Sequence, residues 1–376
     1  MTIGVLKETG NVTRVALLPE HVSVLTGLRV NVITESGSGH LSFFGDTLYS
    51  EAGALIKSRK EVINSSDVLL MVSAPDDSLL SAVKGSNKVI VGTMNPLAGK
   101  EVSERLKSAG LTTFSMDLIP RSSRAQAMDV LSSMATIAGY KAVLDAALHL
   151  PRFFPMFMSA AGTVKPAKVL ILGAGVAGLQ ATATARKLGA IVEVFDVRAA
   201  VKEEVKSLGG KFIEVDGATE DKAAGGYAVE QTEDFKARQA QMIHDHAAKS
   251  DVIICTAQIP GKKAPLLIRK ETVEAMLPGS VIIDLAASTG GNCEVTQDDK
   301  IVIHNQVTVI GQSDYPSMMT SDASKMYGTN LTNFLKLIIA EDGTMNLDFE
   351  DDIIKGTCLT HNGELVNERV KSILNI

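Results

Sequence analysis

The stretch Lys168-Val169-Leu170-Ile171-Leu172-Gly173-Ala174-Gly175-Val176-Ala177-Gly178 decides the fold. A short apolar run enters G-x-G-x-x-G, and a helical pattern follows from Leu179 to Leu188. In a βαβ unit the first glycine permits a tight turn and the second lets backbone approach a pyrophosphate. The third lets the helix pack closely on the strand. The helix start offers unpaired N–H groups to phosphate oxygens. Alone the motif is weak, but its surroundings agree with it. Ile191-Val-Glu-Val-Phe-Asp196 reads as the second strand and ends in an acid eighteen residues after Gly178. An acid there accepts hydrogen bonds from adenosine ribose hydroxyls and repels a 2′-phosphate, although the nearby Arg198 could receive one. The plainer account is a strand, turn and helix whose small residues serve packing alone.

Working outward, strands at 168–172, 190–196, 211–215, 251–257, 280–286 and around 307–311 alternate with helical segments. That is the strand count of a doubly wound dinucleotide fold. Between the third and fourth strands, residues 216–233 form a long irregular connection centred on Ala223-Ala-Gly-Gly226-Tyr227-Ala. A connection of this length is either a lid or a plain surface loop.

The first third alternates in the same way. Ile3–Leu6, Arg29–Glu35, Val68–Val72, Lys88–Gly92 and Thr112–Ser115 read as strands, Pro19–Leu28 and Lys100–Gly110 as helices. This predicts a second parallel-sheet domain. Arg124–Leu150 has apolar residues at helical spacing and is expected to cross between the domains. Phe153–Val164, apolar and glycine-containing, reads as a hairpin or arm packing on a partner subunit. Ser321-Asp322 is expected to cap a helix running to Ala340 that returns the chain to the first domain. The expected fold is α/β: two Rossmann-like doubly wound parallel-sheet domains joined by long crossing helices. Residues 1–132 plus 322–376 would form the first and 133–321 the second.

Composition narrows the function. A chain of 376 residues has room for two domains, and 45% hydrophobic with 21% charged residues suits folded α/β domains. A net charge of −6, no Lys/Arg cluster and no Trp argue against a nucleic-acid partner. Cys255, Cys293 and Cys358 lie apart with no C-x-x-C, and Cys255 sits in an apolar strand pattern as a core residue. Sparse, unpaired cysteines suit a reducing compartment. Met1-Thr-Ile-Gly-Val-Leu enters a strand without a signal-peptide core, and the most apolar window, Phe153–Gly162, is too short for a bilayer. The expectation is a soluble chain without direct membrane insertion. His244-x-His246 falls on a predicted helix where residues two apart diverge, so it reads as a solvated face, and no metal is expected.

A second cluster is more specific: Pro120-Arg121-Ser-Ser-Arg124-Ala-Gln126-Ala-Met-Asp129-Val-Leu-Ser132-Ser133. It gathers two arginines, an amide, a carboxylate and hydroxyls where the chain changes direction. Polar residues at a helix start are a sufficient structural account of it. The run nevertheless resembles the RQD loop in the NAD(H)-binding domain I of proton-translocating NAD(P) transhydrogenases. The likeness continues through Thr13-Arg14-Val15-Ala16, Ala138-Gly-Tyr140, Gly173-Ala-Gly-Val-Ala-Gly-Leu-Gln180, Gly225-Gly-Tyr-Ala228, Ile259-Pro-Gly-Lys262, Gly279-Ser-Val-Ile-Ile-Asp-Leu-Ala286, Gly290-Gly-Asn-Cys293 and Tyr327-Gly-Thr-Asn330. It covers nearly the whole chain.

The resemblance implies roles. Arg121, Asp129 and Ser132 would surround the nicotinamide carboxamide, and Gln126 would sit beside the nicotinamide ribose, facing the partner that carries NADP(H). Arg121, Gln126 and Asp129 are then the candidate catalytic residues. Gly173, Ala174, Gly175, Val176 and Gly178 would hold the pyrophosphate and Asp196 the adenosine ribose, with Val197, Arg198 and Ala257 among the cofactor contacts. Gly226 and Tyr227 would ride on a closing loop. The implied reaction is Re/Si-specific hydride transfer from one nicotinamide C4 to another, needing positioning rather than a general base. The implied partners are a membrane component, an NADP(H)-binding component and a second copy of the chain. They would hold it peripherally on the cytoplasmic or matrix-like side of an inner membrane. The sequence leaves open whether the chain is a separate subunit or belongs to a longer one.

Two alternatives stand beside this reading. Alanine dehydrogenase has the same architecture and shares Arg14. Its substrate-binding Lys and catalytic His fall where this chain reads Met71-Val-Ser73-Ala74-Pro75 and Thr93-Met94-Asn95-Pro96. Without them, oxidation of an amine lacks its proton acceptor. The other alternative is a non-catalytic NAD-sensing module.

Overall fold

Short aliphatic strands build the first sheet: β1 (Thr2–Val5), β2 (Asn31–Glu35), β3 (Leu55–Lys57), β4 (Val68–Leu70), β5 (Val89–Gly92) and β6 (Thr112–Ser115). The computed structural model describes residues 1–215, 232–259 and 261–375. These six strands are parallel and lie in the order β3-β2-β1-β4-β5-β6. Helices α1 (Pro19–Gly27), α2 (Asp46–Glu51), α3 (Arg59–Ser65), α4 (Asp77–Val83) and α5 (Lys100–Ser108) connect them. β4, β5 and β6 are buried at every residue, as parallel strands covered on both faces must be.

Helix α6 (Val130–His149) carries the chain out of this unit, and a two-stranded hairpin follows, β7 (Phe157–Ser159) against β8 (Gly162–Val164). Its apolar side chains are not covered: Met156, Phe157 and Met158 are exposed, as is Phe153, whose ring stacks on that of Phe157.

The second sheet repeats the first. Strands β9 (Lys168–Leu172), β10 (Ile191–Phe195), β11 (Lys211–Ile213), β12 (Val252–Cys255), β13 (Val281–Asp284), β14 (Ile301–His304) and β15 (Val307–Ile310) lie in the order β11-β10-β9-β12-β13-β15-β14. All are parallel except β14. Helices α7 (Val176–Lys187), α8 (Lys202–Ser207), α9 (Glu233–Ala247) and α10 (Lys270–Glu274) accompany them.

The chain then re-enters the first unit through α11 (Thr320–Ile338), α12 (Asp352–Thr357), β16 (Cys358–His361), β17 (Glu364–Leu365) and α13 (Glu368–Leu374). β16 and β17 extend the first sheet antiparallel beyond β6. Phe334 of α11 packs on Phe114 of β6, centroids 5.3 Å apart, and both are buried. Two compact units result, Met1–Met134 with Pro316–Ile376, and Ala135–Tyr315.

Several elements differ from the sequence expectations. β3, β14 and β17 carry too few residues, or too exposed a pattern, to signal themselves, and β16, four residues of which three are buried, is a further strand beyond those expected. β14 alternates exposed and half-buried residues at the sheet edge. Its turn uses Asn305 and Gln306, both at positive φ, which is hairpin geometry without the usual Asn-Gly signature. Ser321 and Asp322 do not cap α11, because the helix starts at Thr320. Thr320 Oγ1 donates to Thr13 O at 2.7 Å and Ser321 Oγ to Ser42 O at 3.1 Å, so these hydroxyls tie neighbouring loops instead. The pair His244/His246 is not a solvated face. His244 Nδ1 meets Thr272 Oγ1 at 3.0 Å and His246 Nδ1 meets Glu193 Oε2 at 2.6 Å, so the two rings clip α9 to different neighbours.

All three cysteines are buried, Cys255 within β12. Burial pushes their thiols up, to about 11 for Cys293 and about 12 for Cys358, which removes thiolate at neutral pH. Ellman's reagent should therefore find no fast-reacting thiol in the native protein and three after unfolding.

Candidate functional site

The turn between β9 and α7 is built by what its glycines exclude. Gly173 has φ +104°, and a Cβ there would stand 2.5 Å from Thr256 Oγ1. A Cβ on Gly178 would stand 1.8 Å from the Gly173 carbonyl oxygen, so helix and strand touch backbone to backbone. Gly175 differs. Its φ is −76°, and none of the described residues lies within 4 Å of where a Cβ would be. Among the described residues there is no steric reason for glycine at 175, whereas a ligand approaching the backbone would give one. Gly175 is also the N-cap of α7 and no side chain caps it, which leaves the first-turn N–H groups for an anion.

Asp196, at the end of β10, reaches back to this turn. Its Oδ2 accepts from Ala174 N at 2.7 Å and its Oδ1 from Arg198 N at 2.8 Å. The Arg198 guanidinium forks onto both oxygens, Nε at 2.9 Å and Nη2 at 2.7 Å, and the carboxylate holds it above its ordinary pKa. The side chains are 6% and 26% exposed, so the pair is largely shielded from water. Asp196 therefore fixes the glycine turn and also neutralises a neighbouring cation that could receive a 2′-phosphate.

Sequence reasoning missed two supports of this turn. Thr256 Oγ1 donates to Gly173 O at 3.0 Å from the end of the neighbouring strand. Asn292 clamps Ala257, accepting from its N–H at 3.1 Å and donating to its carbonyl at 2.9 Å. Asn292 is in turn held by the buried Asp284 carboxylate, which accepts from the backbone N–H groups of Ala286, Asn292 and Cys293 and from Thr296 Oγ1 at 2.8–3.0 Å. Burial raises the pKa of Asp284 and these donors oppose the shift. The signal was present in Asp284 and Gly290-Gly-Asn292, but only the fold brings them to Ala257.

In the first unit, the loop at 121–132 shows how its residues are used. Asp129 precedes α6 and accepts from Ser132 N at 2.9 Å and Ser132 Oγ at 2.6 Å, a helix-start cap that brings these two candidates together. Ala125 and Met128 are buried, and the Ala127 carbonyl accepts from Asn330 Nδ2 at 2.9 Å and Asn333 Nδ2 at 3.1 Å. Arg121 and Gln126 are exposed. Gly226 and Tyr227 lie outside the described residues. Among the described residues no group of three metal-ligating side chains occurs, and no helix is long and apolar enough to cross a membrane.

Comparison with known proteins bears on this geometry. The family described as alanine dehydrogenase/PNT matches through its N-terminal domain over residues 4–138 and its C-terminal domain over 142–368. The chain belongs to that family. It is 46% identical over 97% of its length to the NAD(P) transhydrogenase subunit alpha of Haemophilus influenzae, of which it spans 71%. To an NAD(P) transhydrogenase subunit alpha protein of Rhodospirillum rubrum it is 44% identical over 94% of both chains. The crystal structure of transhydrogenase from Sinorhizobium meliloti superposes with a TM-score of 0.89 at 40% identity, covering 97% of this chain and 100% of that one. Alanine dehydrogenases of the same family stand at 26–28% identity. The transhydrogenase side of the family is thus the nearer one. Beyond the ends of β4 and β5 lie Ser73 and Met94, and the Glu8 carboxylate accepts from Val72 N at 2.6 Å and Ser73 N at 3.1 Å.

The two glycine environments make opposite predictions for folding. Gly178→Ala should cost about 3 kcal/mol, a fall in Tm of roughly 6–12 °C. Gly175→Ala should leave Tm within about 2 °C, because the added methyl meets only open space. Thermal denaturation of the two variants checks both.

Proposed function

We propose that this chain is the NAD(H)-binding component of a proton-translocating transhydrogenase, passing hydride directly between NAD(H) held here and NADP(H) held on a partner component. The observation that carries the reading is the Gly173–Gly178 turn, with its open backbone at Gly175, its uncapped helix start and Asp196 hydrogen-bonded to Ala174. In this reading Gly173, Ala174, Gly175, Val176 and Gly178 grip the pyrophosphate. Asp196, Val197, Arg198 and Ala257 take the adenosine end, and Gly226 and Tyr227 are further nucleotide contacts. Bound nucleotide supplies the donor or acceptor carbon for hydride.

The chain's own residues then have only to position. Asp129 and Ser132 offer an acceptor and a hydroxyl to a carboxamide NH2, and Arg121 offers donors to its oxygen. Gln126, exposed on a 3-10 turn, faces the partner's nucleotide. None of these steps needs a general base, since the hydride carries both bonding electrons and no proton leaves either carbon. The subunit-alpha names of the relatives fit a chain that works with other subunits. In the same reading a membrane component couples the transfer to proton movement and holds this chain peripherally on the inner membrane. A second copy covers the exposed hairpin of β7 and β8.

The Asp196–Arg198 pair predicts nucleotide preference. Wild type should bind NADH in preference to NADPH. Asp196→Asn, which keeps an acceptor for Ala174 N but removes the carboxylate charge facing Arg198, should shift the NADPH/NADH affinity ratio toward NADPH by at least about tenfold, ~1.4 kcal/mol. Calorimetric titration reads this directly, and equal or tighter binding of NADPH by wild type would defeat the assignment.

Hydride transfer itself is tested by mixing the protein with an NADP(H)-binding transhydrogenase component in stopped flow. Gln126→Asn should leave the NADH Kd within about tenfold and lower the transfer rate by roughly a hundredfold, ~2.7 kcal/mol. A wild-type mixture that binds NADH yet transfers nothing would support the non-catalytic module instead.

A further inference from the structure

The loop carrying Gln126 is fastened to a segment more than two hundred residues away. Arg124 Nη1 donates to Asp351 Oδ2 at 2.7 Å and Nη2 to Asp351 Oδ1 at 2.8 Å, across 227 positions of sequence. Nη2 also donates to Asp352 Oδ1. Asp351 is itself fixed, because its Oδ1 caps α12 by accepting from Ile353 N at 2.8 Å and Ile354 N at 3.2 Å. Ile353 and Ile354 are buried in the core of the first unit. The anchor is therefore rigid, and a guanidinium forked onto a carboxylate fixes orientation as well as distance.

The neighbouring residues are spent on anchoring too. Ala125 is buried, the Ala127 carbonyl is held by Asn330 and Asn333, and Met128 is buried. Between Arg124 and Met128, Gln126 alone projects with neither its side chain buried nor its carbonyl held from α11. The loop is thus fastened on either side of one exposed amide.

We propose that Arg124 is not a nucleotide ligand, and that Arg124, Asp351 and Asp352, with Asn330 and Asn333, are positioning residues that set the place of Gln126. This rests on the reading of Gln126 as the hydride-transfer contact given above. One guanidinium shared by two carboxylates has no net positive charge to offer an anionic ligand. Exposed ion pairs contribute only about 0–1 kcal/mol to stability, so the strap does not hold the fold together. Its effect is on geometry, and transfer between two carbons is steeply sensitive to small misplacement.

The test uses the full chain with an NADP(H)-binding component. Arg124→Gln, and separately the pair Asp351→Asn with Asp352→Asn, should each lower the transfer rate at saturating NADH by about tenfold. NADH affinity should stay within about twofold and Tm within about 2 °C. Asparagine at 351 retains an acceptor for the α12 cap, so helix loss does not confound the result. All three changes together should be no worse than Arg124→Gln alone, because they remove one interaction. Arg124→Lys, which keeps the charge but lacks the fork, should be as slow as Arg124→Gln. Effects that multiply in the combined variant, or an unchanged rate, would overturn the proposal. So would a loss of NADH affinity confined to Arg124→Gln. Amide hydrogen exchange of residues 121–129 decides the strap without activity: it should accelerate in the variants while α11 stays protected, and unaltered exchange would overturn it. A wild-type chain that transfers no hydride would sink the functional reading alone, leaving this exchange result to judge the strap.

Discussion

A side chain at Gly178 would collide with the carbonyl of Gly173, and that one exclusion sets the second unit in place. It lets α7 lie directly against β9, so the helix begins where the strand ends and its first N–H groups point beyond the sheet. Everything else at this edge is arranged around that contact. Thr256 braces the turn from β12, Asp196 ties it to β10, and Asn292 holds Ala257 beside it. A parallel sheet buried on both faces supplies the stiffness, because its strands have no freedom to slide without exposing whole rows of Val, Ile and Leu.

The two units solve one packing problem with the same strand order and finish it differently. Both sheets reverse direction beside their first strand, where a doubly wound fold leaves a crevice beyond the strand ends. In the second unit a glycine turn with open space meets that crevice. In the first, the chain's own Glu8 occupies the corresponding place, its carboxylate accepting from Val72 N and Ser73 N across β1 and β4. A self-supplied carboxylate satisfies the amides that an external anion would otherwise take.

Buried polar residues here serve shape more than stability. Asp284 is fully buried yet accepts four hydrogen bonds, and its effect is to hold the loop that carries Asn292. Removing such an acceptor would leave several donors unsatisfied at about 1–3 kcal/mol each, so the arrangement is fixed once folded. The half-exposed Arg124 pairs work at the other extreme, with little stabilising effect and strong directionality.

The sequence by itself determined the fold class, the positions of most strands along the chain and the glycine turn, because these depend on local periodicity and on backbone conformations that only glycine relieves. It also fixed Asp196 at a strand end and the polar run from Arg121 to Ser132. Short or half-exposed strands such as β3, β14 and β17 escaped it, since three or four residues at an edge carry too little pattern. The partners of the candidate residues escaped it as well. That Asp196 would accept from Ala174 N, that His244 and His246 would face different neighbours, and that Asp351 would hold Arg124 from 227 positions away depend on chain crossings that no local window contains. Sequence spacing encodes what neighbours along a strand or helix must do; only the tertiary fold decides which distant side chains share a hydrogen bond.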